Sequence, residues 1–284
     1  MKVFKIDLYE YFKVERPTGG RAELSCFVLE NSKEINKNRK NPAMLVLPGG
    51  GYGFVSDREG EPVALSFVSK GFSAFVLTYS IAPIRFPHQL TEAVMAMNYI
   101  RLNAEELFIN PEMVASVGFS AGGHLCGTLG MISNCKEVES VFKNRVDAKP
   151  NAILLGYPVV TQGNKGHFGS FNNLCGEDKE LINRVDLLNC VDKNSAPAFI
   201  WSTFTDGCVP VRNSLLLAEA YDDVGVPFSI HVWGKGEHGL SVMNKTVYGK
   251  DCGGFGHLET ATKTVALWID LAVEWLEERG FCIE

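Results

Sequence analysis

The sequence predicts an α/β protein in which helices cover both faces of a mostly parallel sheet. Short apolar runs that are rich in β-branched and aromatic residues recur along the chain, as in strands buried on both faces. The segments between them carry apolar residues at helical spacing. Because strand and helix alternate from about residue 43 onward, we expect right-handed crossover connections.

Seven of the apolar runs are predicted to form strands. The polar stretch 31–41 separates the first two and is typical of an exposed connection. The predicted strands are 22–29, 43–47, 73–79, 113–119, 152–158, 198–204 and 228–233.

Five segments are predicted to be helical, and two of them end at a glycine that can adopt a left-handed conformation. The last helix, rich in Leu, Trp and Ala, is expected to cover the sheet or to form a homodimer contact. The predicted helices are 62–70, 89–103, 121–132, 212–223 and 258–279.

The chain length suits one large α/β domain over residues 1–284. Within it, the segment 159–195 is rich in Gly, Asn and Asp and is too long for an ordinary strand-to-helix connection. We interpret this segment as a small cap-like insertion over the mouth of the sheet. A plain surface loop is the alternative.

The composition disfavours several classes of protein. Lys and Arg total 27 against 33 Asp and Glu, a net charge of −6, whereas a nucleic-acid-binding surface would be basic. No apolar run approaches a membrane span, and residues 1–17 lack the apolar core of a signal peptide. The eight cysteines occur singly, so we expect reduced thiols and no zinc site. A cytoplasmic enzyme is expected, with neither nucleic acid nor membrane as partner.

The stretch VGFSAGGH (117–124) places Ser120 among small residues, with a predicted strand before it and a predicted helix after it. This context is that of a sharp turn which exposes a nucleophilic serine. The alternative is a glycine-rich turn with an idle serine. His124, on the following helix, is expected to make a local hydrogen bond.

A nucleophilic serine needs a base, and the base needs a carboxylate that orients it. On parallel sheets these groups follow the carboxyl ends of successive strands in the order serine, acid, histidine. Asp206 directly follows the strand 198–204, and His238 is the one histidine that comes just after the last strand. His167, in the insertion, could contact a substrate.

The glycine run of LPGGGYG (47–53) follows the strand 43–47 and could bring backbone N–H groups close to a negatively charged oxygen. The N–H of Ala121, directly after the serine, could join them. A phosphate-binding loop is the alternative, but neither a G-K-[ST] nor a G-x-G-x-x-G pattern accompanies the run. This set of residues requires no metal and no organic cofactor.

These motifs together resemble the α/β-hydrolase esterases, in particular the acetyl-xylan-esterase-like and feruloyl-esterase-like carbohydrate esterases. The similarity extends over about residues 20–280. It is carried by PGGGY (48–52), EGEPVAL (59–65), Y-x-x-A-P (79–83), GFSAGGH (118–124), D-x-x-V-P (206–210) and G-x-H-G (236–239).

The resemblance implies an α/β-hydrolase fold and the hydrolysis of small acyl esters, acetyl esters of carbohydrates above all. It also implies that Ser120 is the nucleophile, Asp206 the acid and His238 the base. The oxyanion hole would be formed by Gly50, Gly51 and Ala121. Pro48 departs from the related hormone-sensitive-lipase pattern, which has a histidine before the glycines. This departure leaves the support of the glycine loop unassigned.

Several side chains near the predicted strand ends are candidates for the substrate pocket. Tyr52 and Tyr157 are expected to form aromatic walls that hold a sugar or an acyl group, whereas Trp201 is expected in the core. The charged residues 57–59 are interpreted as a solvated helix start, with closure over the site as the alternative.

Two other functions fit the same fold. An aminopeptidase or dipeptidyl-peptidase-like hydrolase shares the D-x-x-V-P segment, although 284 residues leave no room for the large propeller usual in such enzymes. A non-enzymatic protein that binds a small molecule is the second alternative. It would be favoured if one of the three residues Ser120, Asp206 and His238 were missing, and none is.

Overall fold

Eight strands form one sheet in the computed structural model, which describes residues 1–143, 146–163, 166–247 and 261–283. They are β1 (Lys2–Asp7), β2 (Glu23–Val28), β3 (Asn41–Leu47), β4 (Ser73–Thr78), β5 (Ile109–Phe119), β6 (Ala152–Gly156), β7 (Ala198–Thr203) and β8 (Phe228–Trp233). Their order is β1-β2-β4-β3-β5-β6-β7-β8. The β1–β2 and β2–β4 pairs are antiparallel and all the others are parallel, which confirms the predicted sheet.

Helices cover both faces of this sheet. In the described part of the chain they are α1 (Leu8–Phe12), α2 (Glu61–Val68), α3 (His88–Leu102), α4 (Ala121–Ile132), α5 (Lys136–Val141), α6 (Phe168–Cys175), α7 (Lys179–Val185), α8 (Leu187–Cys190), α9 (Arg212–Val224) and α10 (Trp268–Glu277), with short 3₁₀ helices at Asp57–Glu59 and Lys263–Leu267. None of these helices combines the length and the apolar character of a bilayer-spanning segment.

The sheet separates two hydrophobic clusters. Helices α3, α4 and α9 pack on one face, where their apolar side chains meet the inward residues of the strands. Helices α2 and α10 pack on the other face around Phe67, Phe119 and Trp268. Because every strand from β3 to β7 is covered on both sides, these strands are apolar along almost their whole length.

The two ends of the chain differ most from the sequence prediction. Strand β1 is not predicted, because the charged residues Lys2 and Lys5 interrupt its apolar pattern. Such charges are common on an edge strand, where they discourage pairing with another chain. The last helix is shorter than the predicted 258–279: α10 begins at Trp268 after a 3₁₀ turn that contains the β-branched Thr264 and Val265. Residues 258–260 lie outside the described residues.

The segment 159–195, which the sequence predicts to be a cap-like insertion, contains the three short helices α6, α7 and α8. Several long-range hydrogen bonds join it to the rest of the structure, and two of them are made by side chains near the glycine loop and on α4. The Asn173 amide donates to the carbonyl of Gly51 at 2.9 Å, and a ring nitrogen of His124 lies 2.8 Å from the carbonyl of Val185. These contacts hold the segment against the carboxyl edge of the sheet.

Candidate active site

Ser120 occupies a strained turn between β5 and α4, with a φ of 54° and a ψ of −121°. Residues other than glycine rarely adopt this backbone conformation, which costs about 1–3 kcal/mol. The surroundings enforce it: a Cβ on Gly118 would meet the carbonyl of Gly122, and one on Gly122 would meet the carbonyl of Leu47. The amide of Ser120 also donates to the carbonyl of Gly156 at 3.0 Å. Close packing therefore presents the serine beyond the end of its strand.

A continuous hydrogen-bonded chain begins at this serine. Ser120 Oγ lies 2.8 Å from His238 Nε2, and His238 Nδ1 lies 2.7 Å from Asp206 Oδ2. The other carboxylate oxygen, Oδ1, accepts the N–H groups of Cys208 and Val209, both at 2.9 Å. Since a carboxylate can only accept, His238 carries its proton on Nδ1 and accepts the serine hydroxyl at Nε2. The three residues that the sequence singles out thus meet in one place.

The loop that carries His238 is tied to the end of β7. The carbonyl of Gly236 accepts the hydroxyls of Thr203 and Thr205 at 2.8 and 3.0 Å. The amide of Gly236 in turn donates to the hydroxyl oxygen of Thr205 at 2.9 Å. Because Asp206 follows Thr205 directly, these bonds fix the histidine loop relative to the carboxylate that orients the ring.

The glycine loop after β3 supplies backbone N–H groups beside the serine. Gly50 has a φ of 126°, and a Cβ there would meet the carbonyl of Phe54, so the turn requires glycine. Gly50 and Gly51 line the same cavity as Ser120. Among the described residues, the N–H groups of Gly50, Gly51 and Ala121 have no hydrogen-bond partner. The predicted oxyanion donors are therefore free for a ligand.

Glu59 supports this loop, although the sequence interpretation assigns it to a solvated helix start. Its side chain is 3% exposed, and Oε2 accepts the N–H of Gly49 at 2.8 Å. Its other oxygen accepts the hydroxyl of Tyr157 at 2.7 Å, and that hydroxyl oxygen accepts the N–H of Ser241 at 2.9 Å. One buried carboxylate thereby connects the glycine loop to the chain segment that follows His238.

A second residue, directly after the end of β4, supports the same loop. The Tyr79 hydroxyl donates to the carbonyl of Pro48 at 2.5 Å. Tyr79 opens the Y-x-x-A-P motif and Glu59 opens the EGEPVAL motif. Each motif is therefore the sequence signal for a residue that supports the glycine loop.

The sequence predicts that Tyr52 and Tyr157 form walls of the pocket, but both side chains are buried beneath the cavity. Tyr52 is 1% exposed and its hydroxyl lies 2.8 Å from Nδ1 of His124. Burial lowers the pKa of His124 to about 4, so this histidine is neutral and acts as a structural link. Tyr157 is 2% exposed, and its ring packs edge-on against His238 with centroids 4.9 Å apart. Both tyrosines are committed to core contacts because their hydroxyls find buried partners.

A cavity of about 450 Å³ opens above the serine, within the range of small-molecule sites. Its lining includes Ser120 and His238, the glycine loop, Cys208 and His167. Phe54 also lines it and is 59% exposed, which is high for a large aromatic ring. The cavity therefore offers space for an ester directly at the serine hydroxyl.

The parallel sheet and the serine turn define an α/β-hydrolase. The chain is 34% identical to a solved acetyl ester-xyloside bifunctional hydrolase from Caldicellulosiruptor lactoaceticus, with 98% of this chain and 97% of that chain covered and a TM-score of 0.80. It is 35% identical to endo-1,4-beta-xylanase B of Butyrivibrio fibrisolvens over 77% of this chain, and 28% identical to an acetylxylan esterase of Xylanibacter ruminicola over 81%. It spans only 35% and 46% of the lengths of these two curated relatives.

The family model described as BD-FAE matches residues 32–221, and the chain belongs to this family. Together with the solved hydrolase, this match assigns the chain to the α/β-hydrolase fold.

Replacing Glu59 with glutamine is expected to lower kcat for ester hydrolysis roughly 10-fold. Glutamine has one acceptor oxygen, so either the Gly49 N–H or the Tyr157 hydroxyl would face an amide NH₂, and an unsatisfied buried donor costs about 1–3 kcal/mol. The measurement is steady-state kinetics at a temperature where circular dichroism shows both proteins folded.

Glu61→Gln, an exposed change on the next turn, is the matched control and should leave kcat unchanged. An unaltered kcat in the folded Glu59→Gln variant would show that the glycine loop does not depend on this carboxylate.

Proposed function

We propose that the chain is a serine carboxylesterase that removes small acyl groups, acetyl in particular, from carbohydrate esters. The observation that carries the proposal is the hydrogen-bonded chain from Ser120 through His238 to Asp206, with distances of 2.8 and 2.7 Å. The unpaired amides of the glycine loop beside it supply the second requirement of acyl transfer, a site for negative charge.

In the acylation step, His238 Nε2 removes the hydroxyl proton as Ser120 Oγ attacks the ester carbonyl carbon. Asp206 stabilises the imidazolium that forms, and the N–H groups of Gly50, Gly51 and Ala121 bind the oxyanion. The C–O bond to the alcohol then breaks, and His238 gives its proton to the departing alkoxide oxygen. The product of this step is an acyl-serine.

Deacylation repeats the same chemistry with water. His238 removes a proton from water as the water oxygen attacks the acyl carbon, and it returns that proton to Ser120 Oγ when the carboxylic acid leaves. The side chains and amides at the site perform every step, so the proposed mechanism uses no metal or organic cofactor.

The acetyl and carbohydrate parts of the proposal draw support from the similar proteins. One solved structure is described as an acetyl ester-xyloside hydrolase and one relative as an acetylxylan esterase. We also propose that the chain forms one domain over residues 1–284 in which segment 159–195 caps the cavity, since His167 of that segment lines it. The cytoplasmic location, the absence of nucleic-acid and membrane partners, and the homodimer stay predictions.

A panel of nitrophenyl esters of increasing acyl length tests the reaction, with an aminoacyl nitroanilide as the amide counterpart. We expect the acetate to give the highest kcat/KM and the anilide to react far more slowly. Faster hydrolysis of the anilide would overturn the esterase proposal in favour of a peptidase. A fluorophosphonate probe should label the protein once, at Ser120, and a failure to label would favour the non-enzymatic alternative.

A further inference from the structure

We propose that His167 determines specificity by donating a hydrogen bond from its Nε2–H to an oxygen of the alcohol portion of the substrate. The inference rests on the proposed function and names which part of a carbohydrate ester this side chain contacts. His167 is the N-cap residue of α6 and lines the cavity that also contains Ser120 and His238.

The helix cap determines which ring nitrogen of His167 carries the proton. Nδ1 accepts the backbone N–H of Ser170 at 3.2 Å and lies 2.8 Å from the Ser170 hydroxyl oxygen. A backbone N–H can only donate, so Nδ1 must present its lone pair, and in the neutral ring the proton is then on Nε2. Burial, and then the nearby His238, lower the pKa of His167, which favours this neutral form. His167 is thus held as an Nε2–H donor.

The Nε2–H group of His167 has no acceptor within the described protein. No hydrogen-bond partner of Nε2 is found among the described residues, although the ring is half-buried at the cavity wall. The same cavity wall carries Ser120 and His238. A molecule whose ester carbonyl is at Ser120 would therefore extend into the cavity that His167 lines.

The alcohol portion is the part of the substrate that fits. An acetyl group has a single oxygen, its carbonyl, and in the proposed mechanism the free amides of the glycine loop bind it. A sugar ring has further hydroxyl and ring oxygens that accept hydrogen bonds, as well as apolar C–H faces. The exposed ring of Phe54 on the same cavity offers an apolar surface for such a face. An oriented donor and an exposed aromatic ring together match a hydroxyl-rich alcohol better than an alkyl or aryl one.

The test distinguishes two roles of His167: donating a hydrogen bond into the cavity and capping helix α6. Asparagine is a strong N-cap residue whose side-chain oxygen can accept the Ser170 N–H, but it is shorter than histidine and withdraws the N–H from the cavity. In His167→Asn we expect kcat/KM for an acetylated xyloside to fall roughly 10-fold, mainly through a higher KM, because one hydrogen bond to substrate is lost. The kcat/KM for nitrophenyl acetate, whose leaving group has no hydroxyl, should change less than about 2-fold.

His167→Ser, which also caps a helix, is the second variant should the asparagine protein fail to fold. An equal loss on both substrates would overturn the proposal, since it would mean that His167 acts through the geometry of the site. Unchanged kinetics on both would overturn it as well. A wild-type protein that cleaves nitrophenyl acetate but no acetylated sugar would instead refute the carbohydrate part of the proposed function, and the inference with it.

Discussion

Replacement of Ser120 with alanine is expected to lower kcat about 10³-fold or more, by analogy with measured catalytic triads. The change removes the atom that would form the acyl-enzyme, while the free amides of Gly50 and Gly51 remain to stabilise charge. KM should change little, because the cavity loses only one oxygen. Initial rates with nitrophenyl acetate measure the loss, and a fluorophosphonate probe should no longer label the protein.

Ser140→Ala, on the exposed side of α5, is the matched control and should keep both activity and labelling. A Ser120→Ala protein that retained a tenth of the wild-type kcat, or still took up one probe molecule, would rule out this serine as the nucleophile.

Asp206→Asn is expected to produce the second large effect, a loss in kcat of about 10⁴-fold at neutral pH, as known for such a change in another serine hydrolase. The N–H groups of Cys208 and Val209 both point at Oδ1, so the asparagine oxygen must take that position. Its NH₂ group then faces His238 Nδ1 and forces that nitrogen to accept. The ring proton moves to Nε2, where it prevents His238 from taking the proton of Ser120.

The kcat of the purified variant, with KM measured in parallel, tests this prediction. Asp222→Asn, near the exposed end of α9, makes the same chemical change away from the site and should leave kcat unchanged. A loss smaller than about tenfold in Asp206→Asn would mean that the tautomer of His238 does not depend on this carboxylate.

The sequence alone was sufficient to predict strands β2 to β8 and the position of three side chains. Parallel strands end at one edge of a sheet, so residues in the loops that follow such strands lie at the same edge whatever their separation in the chain. Ser120, Asp206 and His238 each follow a strand in this way, and the structure brings them within hydrogen-bond distance. The glycine run is at the same edge for the same reason.

Only the tertiary structure decided which side chains support that site. Glu59 lies in a run of charged residues that is locally typical of solvated sequence, yet it is buried because its partners Gly49 and Tyr157 come from the loops that follow two strands, β3 and β6. Tyr52, at a strand end, turns into the core because His124 on α4 offers its hydroxyl a partner. The local sequence pattern indicates the conformation of a segment. Whether a polar group can be buried depends instead on distant residues that satisfy its hydrogen bonds.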